Sequence, residues 1–309
     1  MKTTKVAKRI IILLLLVLGL FQFFGPSSVL AGDSREVEQT GSIAAPITND
    51  SYVDKQWALQ RIQGLVVEPT GTKEILVAVL DTGIDQQHED LVGKVVGSVN
   101  FTDSPTASDV LGHGTHIAGI IAANTNNGIG VAGIAPNCRL LNVKIADDKG
   151  VVRASAVAKG IIWAVDNGAK IINMSLAMPA TIPALDEAVN YAWSKGVVMI
   201  AAAGNDGKAA PTYPADEPHV IAVAATDAKD TLWSMSNRGA WVDIYAPGAG
   251  IYSTQPGNKY CYRSGTSMAA AVVSAVAALT LATVTDTNGD GQLNDEVTGV
   301  LTTVFARSK

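Results

Sequence analysis

The stretch EILVAVLDTGID, residues 74–85, decides how the chain folds. Ile75 to Leu80 are all apolar, and Ile75, Val77 and Val79 are β-branched. A run with no polar alternation suits a strand covered on both faces, as in a parallel sheet. Similar runs recur at residues 140–145, 171–176, 197–203 and 220–224. Helical spacing predicts helices over 53–62, 115–123, 155–167, 183–195 and 266–280; in the fourth, Leu185, Ala188, Val189 and Ala192 share a face. Strands and helices in this alternation predict an α/β fold: a mainly parallel central sheet with helices on both faces, joined by right-handed crossovers. Residues 49–282 contain no internal repeat and no low-complexity linker, so 49–309 is read as one domain.

In such sheets chemistry collects at the carboxyl ends of the strands. Asp81 stands there, directly after the apolar run. His113 lies in LGHGTHIAG and Ser267 in SGTSMAAAVVSAVAAL, each at a predicted helix start. Alone, each has a plain reading: a turn acid, a helix-start histidine, a helix-start serine. Together, with glycines flanking all three, they are the parts of a nucleophilic triad. The carboxylate orients the imidazole, the imidazole takes the hydroxyl proton, and the hydroxyl attacks an acyl carbon. The helix start under Ser267 adds partial positive charge where an oxyanion forms. Asn205, in IAAAGNDG after a buried run, is placed to donate an amide N–H to that oxyanion, its plain alternative being a turn residue.

VAVLDTGID, GHGTHIAGIIA, AAAGN and SGTSMAA, in that order, resemble the aspartate, histidine, asparagine and serine blocks of the subtilisin-like serine peptidases. The resemblance covers roughly residues 49–282 and looks nearest to the thermitase branch. It implies a subtilisin-like fold and a serine endopeptidase, with Asp81, His113, Ser267 and Asn205 as the working residues and His116 structural. It also implies a substrate groove at Gly150, Val151, Val152, Ser175, Leu176 and Ala177, with Ala203 and Gly204 beside it. A structural Ca²⁺ is implied as well, held by the side chains of Asp50, Asp90 and Asn127 and the carbonyls of Asn124, Ile129 and Val131. Hard oxygen ligands from distant segments suit that ion. For a second thermitase-type calcium loop, Asn100 and Asp103 are present but Pro105 stands where an acid belongs.

The chain departs from the family pattern at several points. One groove segment, usually Gly-x-Gly, reads Gly150-Val151-Val152; the other, usually Ser-Leu-Gly-Gly, reads Ser175-Leu176-Ala177-Met178. Added side chains at both edges predict restricted specificity, or weak activity on ordinary substrates. After Ser267, Ala271 and Val272 replace the usual proline and histidine. The tail from Asp286 to Asn294 resembles the first nine positions of an EF-hand loop, but Val297 occupies the twelfth place, where an acid belongs. Calcium binding and a solvated turn both remain open for residues 286–297.

Lys2, Lys5, Lys8 and Arg9 precede an apolar run over 10–24 and small residues ending at Ala31, the order of a secretory signal. The run is shorter than the ~20 residues that span a bilayer, which disfavours a retained anchor. Removing 1–31 leaves a polar leader, 32–48, too short for the folding pro-domain usual in exported relatives. It also removes four positive charges and no negative one, taking the net charge from −5 to −9. An acidic, exported monomer acting on peptides or proteins is expected, with no nucleic-acid partner and no membrane association after signal removal. Cys138 and Cys261 are the only cysteines, bonded or free. Two other classes fit parts of the sequence. A non-catalytic or weakly active binding protein fits the altered groove. An aspartic peptidase fits Asp81-Thr82-Gly83 but needs a second carboxylate from a dimer partner, and leaves the histidine and serine blocks unexplained.

Overall fold

Residues 48–62 and 74–305 are described by the computed structural model; the predicted signal and all of the leader but Thr48 lie outside them. The run that opens at Ile75 forms β1 (Leu76–Asp81), an interior strand of a seven-stranded sheet. Its companions are β2 (Val95–Asn100), β3 (Arg139–Lys144), β4 (Ile171–Met174), β5 (Val198–Ala202), β6 (Val220–Thr226) and β7 (Ile244–Pro247). The spatial order is β2-β3-β1-β4-β5-β6-β7, and every pairing is parallel. A separate antiparallel hairpin, β8 (Ile251–Gln255) and β9 (Lys259–Arg263), leads into the longest helix among the described residues. The helices are α1 (Trp57–Ile62), α2 (His113–Ala122), α3 (Ala154–Asp166), α4 (Pro183–Ser194), α5 (Thr266–Leu281) and α6 (Asn294–Val304).

Both faces of the sheet are dry, as the unbroken apolar runs require. Val77 and Val79 of β1 pack with Ile117 and Ile121 of α2 and Val273 and Val276 of α5. Their neighbours Ala78 and Leu80 point the other way, into a second core with Val157 and Ile161 of α3 and Leu185 and Val189 of α4. Successive strand residues thus feed opposite layers. Among the described residues no helix is long and apolar enough to cross a membrane.

The five expected strands form with ends shifted by one or two residues. The run expected over 171–176 leaves the sheet after Met174, because Ser175 turns to meet α5. β2 and β7 were not expected. β2 is half-exposed, with its register shifted between Val95 and Gly97, so it lacks a continuous apolar run. β7 is only four residues long. The helix expected over 53–62 is broken into a 3₁₀ turn, Val53–Lys55, and α1. Gln56 sits at the break with its side-chain amide bonded both ways to Ala132: Nε2 to the carbonyl and Oε1 to the N–H, each 2.8 Å.

Candidate active site

The chain leaves β1 toward β2 at one edge and returns on the far side of β1 as β4, so the carboxyl ends of these neighbours face a crevice. Asp81 ends β1 there, almost fully buried. His113 opens α2, and its Nδ1 lies 2.7 Å from Asp81 Oδ1. The same carboxylate oxygen accepts the Thr82 N–H at 2.7 Å, which fixes the side chain against its own turn. With Nδ1–H given to Asp81, Nε2 keeps its lone pair for a proton. α2 approaches this turn closely because Gly114 has no side chain; a Cβ there would overlap the Gly83 carbonyl.

Burial works against a charged His113, but the charge and hydrogen bond of Asp81 outweigh it and hold the imidazole above its usual value. Arg263 pushes the other way and Asp109 adds to Asp81. His116, one turn on and fully buried, is depressed to about 3, first by burial and then by Arg263 and His113. It stays neutral and takes no part in proton exchange at ordinary pH.

Ser267 is the second residue of α5 and nearly buried. Its hydroxyl donates to the Ser175 carbonyl at 3.2 Å and makes no hydrogen bond to His113 among the described residues. Asn205 follows β5 through Gly204. Its Oδ1 accepts the Thr266 N–H at 2.9 Å and the Thr266 hydroxyl at 3.0 Å, and that hydroxyl accepts the Gly204 N–H at 3.0 Å. With the oxygen anchored, the amide nitrogen makes no hydrogen bond among the described residues and lies 3.4 Å from where a Cβ on Gly265 would sit.

Several site residues escaped the sequence reading. Asp109 is a second buried carboxylate. It accepts from Thr82 Oγ1 (2.8 Å), Leu111 N (3.1 Å), Gly112 N (2.8 Å), Thr115 N (2.8 Å) and Thr115 Oγ1 (2.7 Å). It thereby ties the Asp81 turn to the start of α2. An acid four residues ahead of His113 was the only available signal. Lys144, opposite Asp81 in the sheet, is fully buried. Its ammonium donates to the Thr82 carbonyl and ion-pairs with Asp148 at 3.0 Å.

The expected groove residues lie in the segments that follow β3 and β4. Gly150 takes a left-handed conformation, φ +81°, that favours glycine. Val151 is exposed, and Val152 pairs antiparallel with Ala146. Ser175 is buried, Leu176 half-buried and Ala177 exposed. Met178 N donates to the Tyr213 carbonyl at 2.7 Å and its own carbonyl accepts the Tyr213 N–H at 2.9 Å. Ala203 lies fully buried below Asn205; the carbonyls of Ala203 and Gly204 are both held by Asn237, at 2.9 Å each.

The expected calcium residues meet where the N-terminal arm crosses the loop after α2. Asp50 accepts the N–H groups of Asn126 (3.0 Å) and Asn127 (3.1 Å). Asp90, fully buried, accepts Asn127 Nδ2 (2.9 Å), Val131 N (2.8 Å) and Tyr260 OH (3.0 Å). Burial pushes Asp90 above the usual carboxylate range despite these donors. The carbonyls of Gly128 and Gly130 turn outward to Ser51 Oγ (2.7 Å) and Tyr52 N (2.8 Å), whereas those of Asn124, Ile129 and Val131 accept none of the hydrogen bonds among the described residues. No cluster of three or more His, Cys, Asp or Glu side chains suited to a metal occurs among the described residues. This set has two carboxylates.

Elsewhere, Asn100 spends its side chain on its own loop, and Asp103 pairs with Arg153 at 3.0 Å. In the tail, Asp286 accepts the N–H groups of Gly289 (2.6 Å) and Gly291 (2.9 Å), and Glu296 accepts those of Thr287 (2.8 Å) and Asn288 (3.3 Å), while Val297 is buried in the core. Cys138 and Cys261 are free thiols; burial pushes Cys138 up to about 12.

Comparison with known proteins gives this geometry a family. The thermophilic serine proteinase of Bacillus sp. (strain AK1) is 46% identical over 231 residues, 74% of this chain and 55% of that protein. Thermitase of Thermoactinomyces vulgaris is 47% identical over 237 residues, covering 75% of this chain and 84% of its own. Subtilisin Savinase of Lederbergia lenta is 42% identical over 226 residues, 72% of this chain and 82% of its own. The chain therefore spans little more than half of the first relative and most of the other two. Residues 72–296 match the Peptidase_S8 pattern of the subtilase family, and the chain belongs to that family.

Proposed function

We propose that the protein is an exported serine endopeptidase, stabilised by calcium, that hydrolyses peptide bonds through Asp81, His113 and Ser267 with Asn205 at the oxyanion. The observation that carries this reading is the 2.7 Å contact between Asp81 Oδ1 and His113 Nδ1 at the crevice, with Ser267 on a helix start beside it. Ser267 Oγ turns from the Ser175 carbonyl to His113 Nε2, gives up its proton and attacks the substrate carbonyl. Asp81 holds the imidazolium that forms. The free amide of Asn205 and the N–H groups at the start of α5 receive the oxyanion. His113 then protonates the leaving amine, and water repeats the sequence to release the acyl group.

The peptide adds as an extended strand between Gly150–Val152 and Ser175–Ala177, a β-augmentation. Val151 and Ala177 carry exposed side chains at those edges, and Met178 has spent its backbone on Tyr213. Both support restricted specificity. Digestion of a random peptide library with a broad, even cleavage profile would overturn that part.

The buried carboxylates of Asp50 and Asp90, with the free carbonyls of Asn124, Ile129 and Val131, fit a hard cation. Those residues and Asn127 would hold Ca²⁺, whose charge offsets the two buried acids and ties the arm to the loop.

One observation favours a second reading, a weakly active or non-catalytic binding protein: the Ser267 hydroxyl rests on Ser175 rather than on His113. Labelling with a fluorophosphonate decides between them. Wild type is expected to label in calcium and Ser267→Ala not at all. Absence of label on wild type, under conditions that label thermitase, establishes the second reading.

A further inference from the structure

α5 is apolar and small along nearly its whole length, with Ser274 as a fully buried hydroxyl two turns beyond Ser267 on the same face. A buried hydroxyl is costly unless bonded. Mid-helix serine and threonine usually bond back to the carbonyl four residues earlier. Thr280 does so, to Val276 at 2.8 Å. Ser274 instead reaches across to the sheet. Its Oγ donates to Asn173 Oδ1 at 3.0 Å. Asn173, fully buried on β4, donates through Nδ2 to Ser175 Oγ at 2.9 Å. Ser175 Oγ donates in turn to the Ser267 carbonyl at 3.0 Å, and Ser267 Oγ donates back to the Ser175 carbonyl at 3.2 Å.

We propose that Ser274 and Asn173 are positioning residues for the nucleophile: a one-way hydrogen-bond chain, Ser274 to Asn173 to Ser175, that sets the angle of the Ser267 turn against β4. The inference rests on the catalytic reading above. Every donor in the chain is committed in one direction. Because Ser175 Oγ accepts from Asn173, its own proton is directed at Ser267. The carbonyl it reaches is also the helical acceptor of the Ala271 N–H, so two donors converge on the backbone of the nucleophile. A proline at 271 would leave only one. The chain thus gives this sequence a grip on the first turn of α5 that does not depend on proline. Loss of Asn173's donation frees the Ser175 hydroxyl to rotate, and the turn loses its second tether.

The test compares rates of fluorophosphonate labelling at Ser267 with thermal midpoints. Ser274→Ala is expected to label about tenfold more slowly, with kcat falling for a peptide substrate and KM unchanged, because small misplacements of reacting groups cost rate. Ser274→Thr, which keeps the hydroxyl, restores labelling to within about twofold. Thr280→Val, whose lost bond is local to the helix, labels as wild type does. If Ser274→Ala does not fold, the Ser274→Ala/Asn173→Val double variant leaves no buried partner unpaired and is expected to show the same slow labelling. Wild-type labelling rates in the Ala or double variant, with only the midpoint lowered, overturn the inference. Absence of label on wild type overturns the catalytic reading itself.

Discussion

Two buried acidic regions in this molecule are built on opposite plans. At the crevice, Asp81 faces an ionisable partner, His113, and Asp109 and Lys144 brace the surrounding turns. At the arm, Asp50 and Asp90 take their hydrogen bonds from backbone N–H groups, the Asn127 amide and the Tyr260 hydroxyl, with His88 adding only a lesser electrostatic pull on Asp90, and three carbonyls are left without hydrogen bonds among the described residues. A carboxylate beside an imidazole stabilises a charge that comes and goes. Carboxylates among amides and free carbonyls stabilise a positive charge that stays. The difference teaches that burial of an acid does not by itself mark catalysis; the titration of its partner does.

The sharpest way to break the contrast is at the crevice. Ser267→Ala should lower kcat by roughly 10⁶, read by hydrolysis of a chromogenic peptide, since the triad acts as a unit. A fall below about a hundredfold would mean that another nucleophile operates. Asn205→Ala comes next, with a loss of about 10²–10³ in kcat and little change in KM. An equal loss in both parameters would place Asn205 in ground-state binding instead.

The arm responds to a different perturbation. Chelation should lower the thermal midpoint by roughly 5–10 °C, the effect of a ligand that was about a hundredfold above its Kd. Calcium should restore it and Asp90→Asn should abolish the response. A midpoint indifferent to chelator would remove the metal from the arm.

The smallest effect concerns pH. Asp81 raises His113, so the base form is lost as pH falls through that raised value, and kcat/KM falls with it. Arg263 opposes the shift. Arg263→Gln should therefore move the acid limb of the profile to higher pH while leaving the plateau nearly unchanged. Movement toward lower pH would contradict the assigned sign.

The sequence was most legible where the physics is local. Continuous apolar runs marked β1, β3, β4, β5 and β6 because a strand covered on both faces needs no partner to be recognised. β2, half-exposed and with its register shifted between Val95 and Gly97, carries no such mark. The candidates Asp81, His113, Asn205 and Ser267 could be singled out because each sits at an element end within two residues of a glycine. Asp109, Lys144, Asn173 and Ser274 were not. Some of their partners are local, as Asp148 is for Lys144 and Ser175 for Asn173, but the bonds that tie them to the site span up to 101 residues, as for Ser274 and Asn173, and a short window does not announce those. The break in the helix expected over 53–62 has the same origin: Gln56 answers to Ala132, 76 residues on.

The parallel sheet has a consequence for how long the molecule lasts. Leu76 pairs with Arg139 and Val77 with Ile171, so β1 cannot find its neighbours until long stretches of chain have been gathered. Such non-local pairings make folding slow, because loop closure is met before contacts reward it. If the protein is the peptidase proposed above, any copy that opens is also a substrate for its neighbours. Survival in a concentrated solution then depends on how rarely the sheet comes apart, and the interactions absent from the transition state for unfolding are the ones that lengthen that interval.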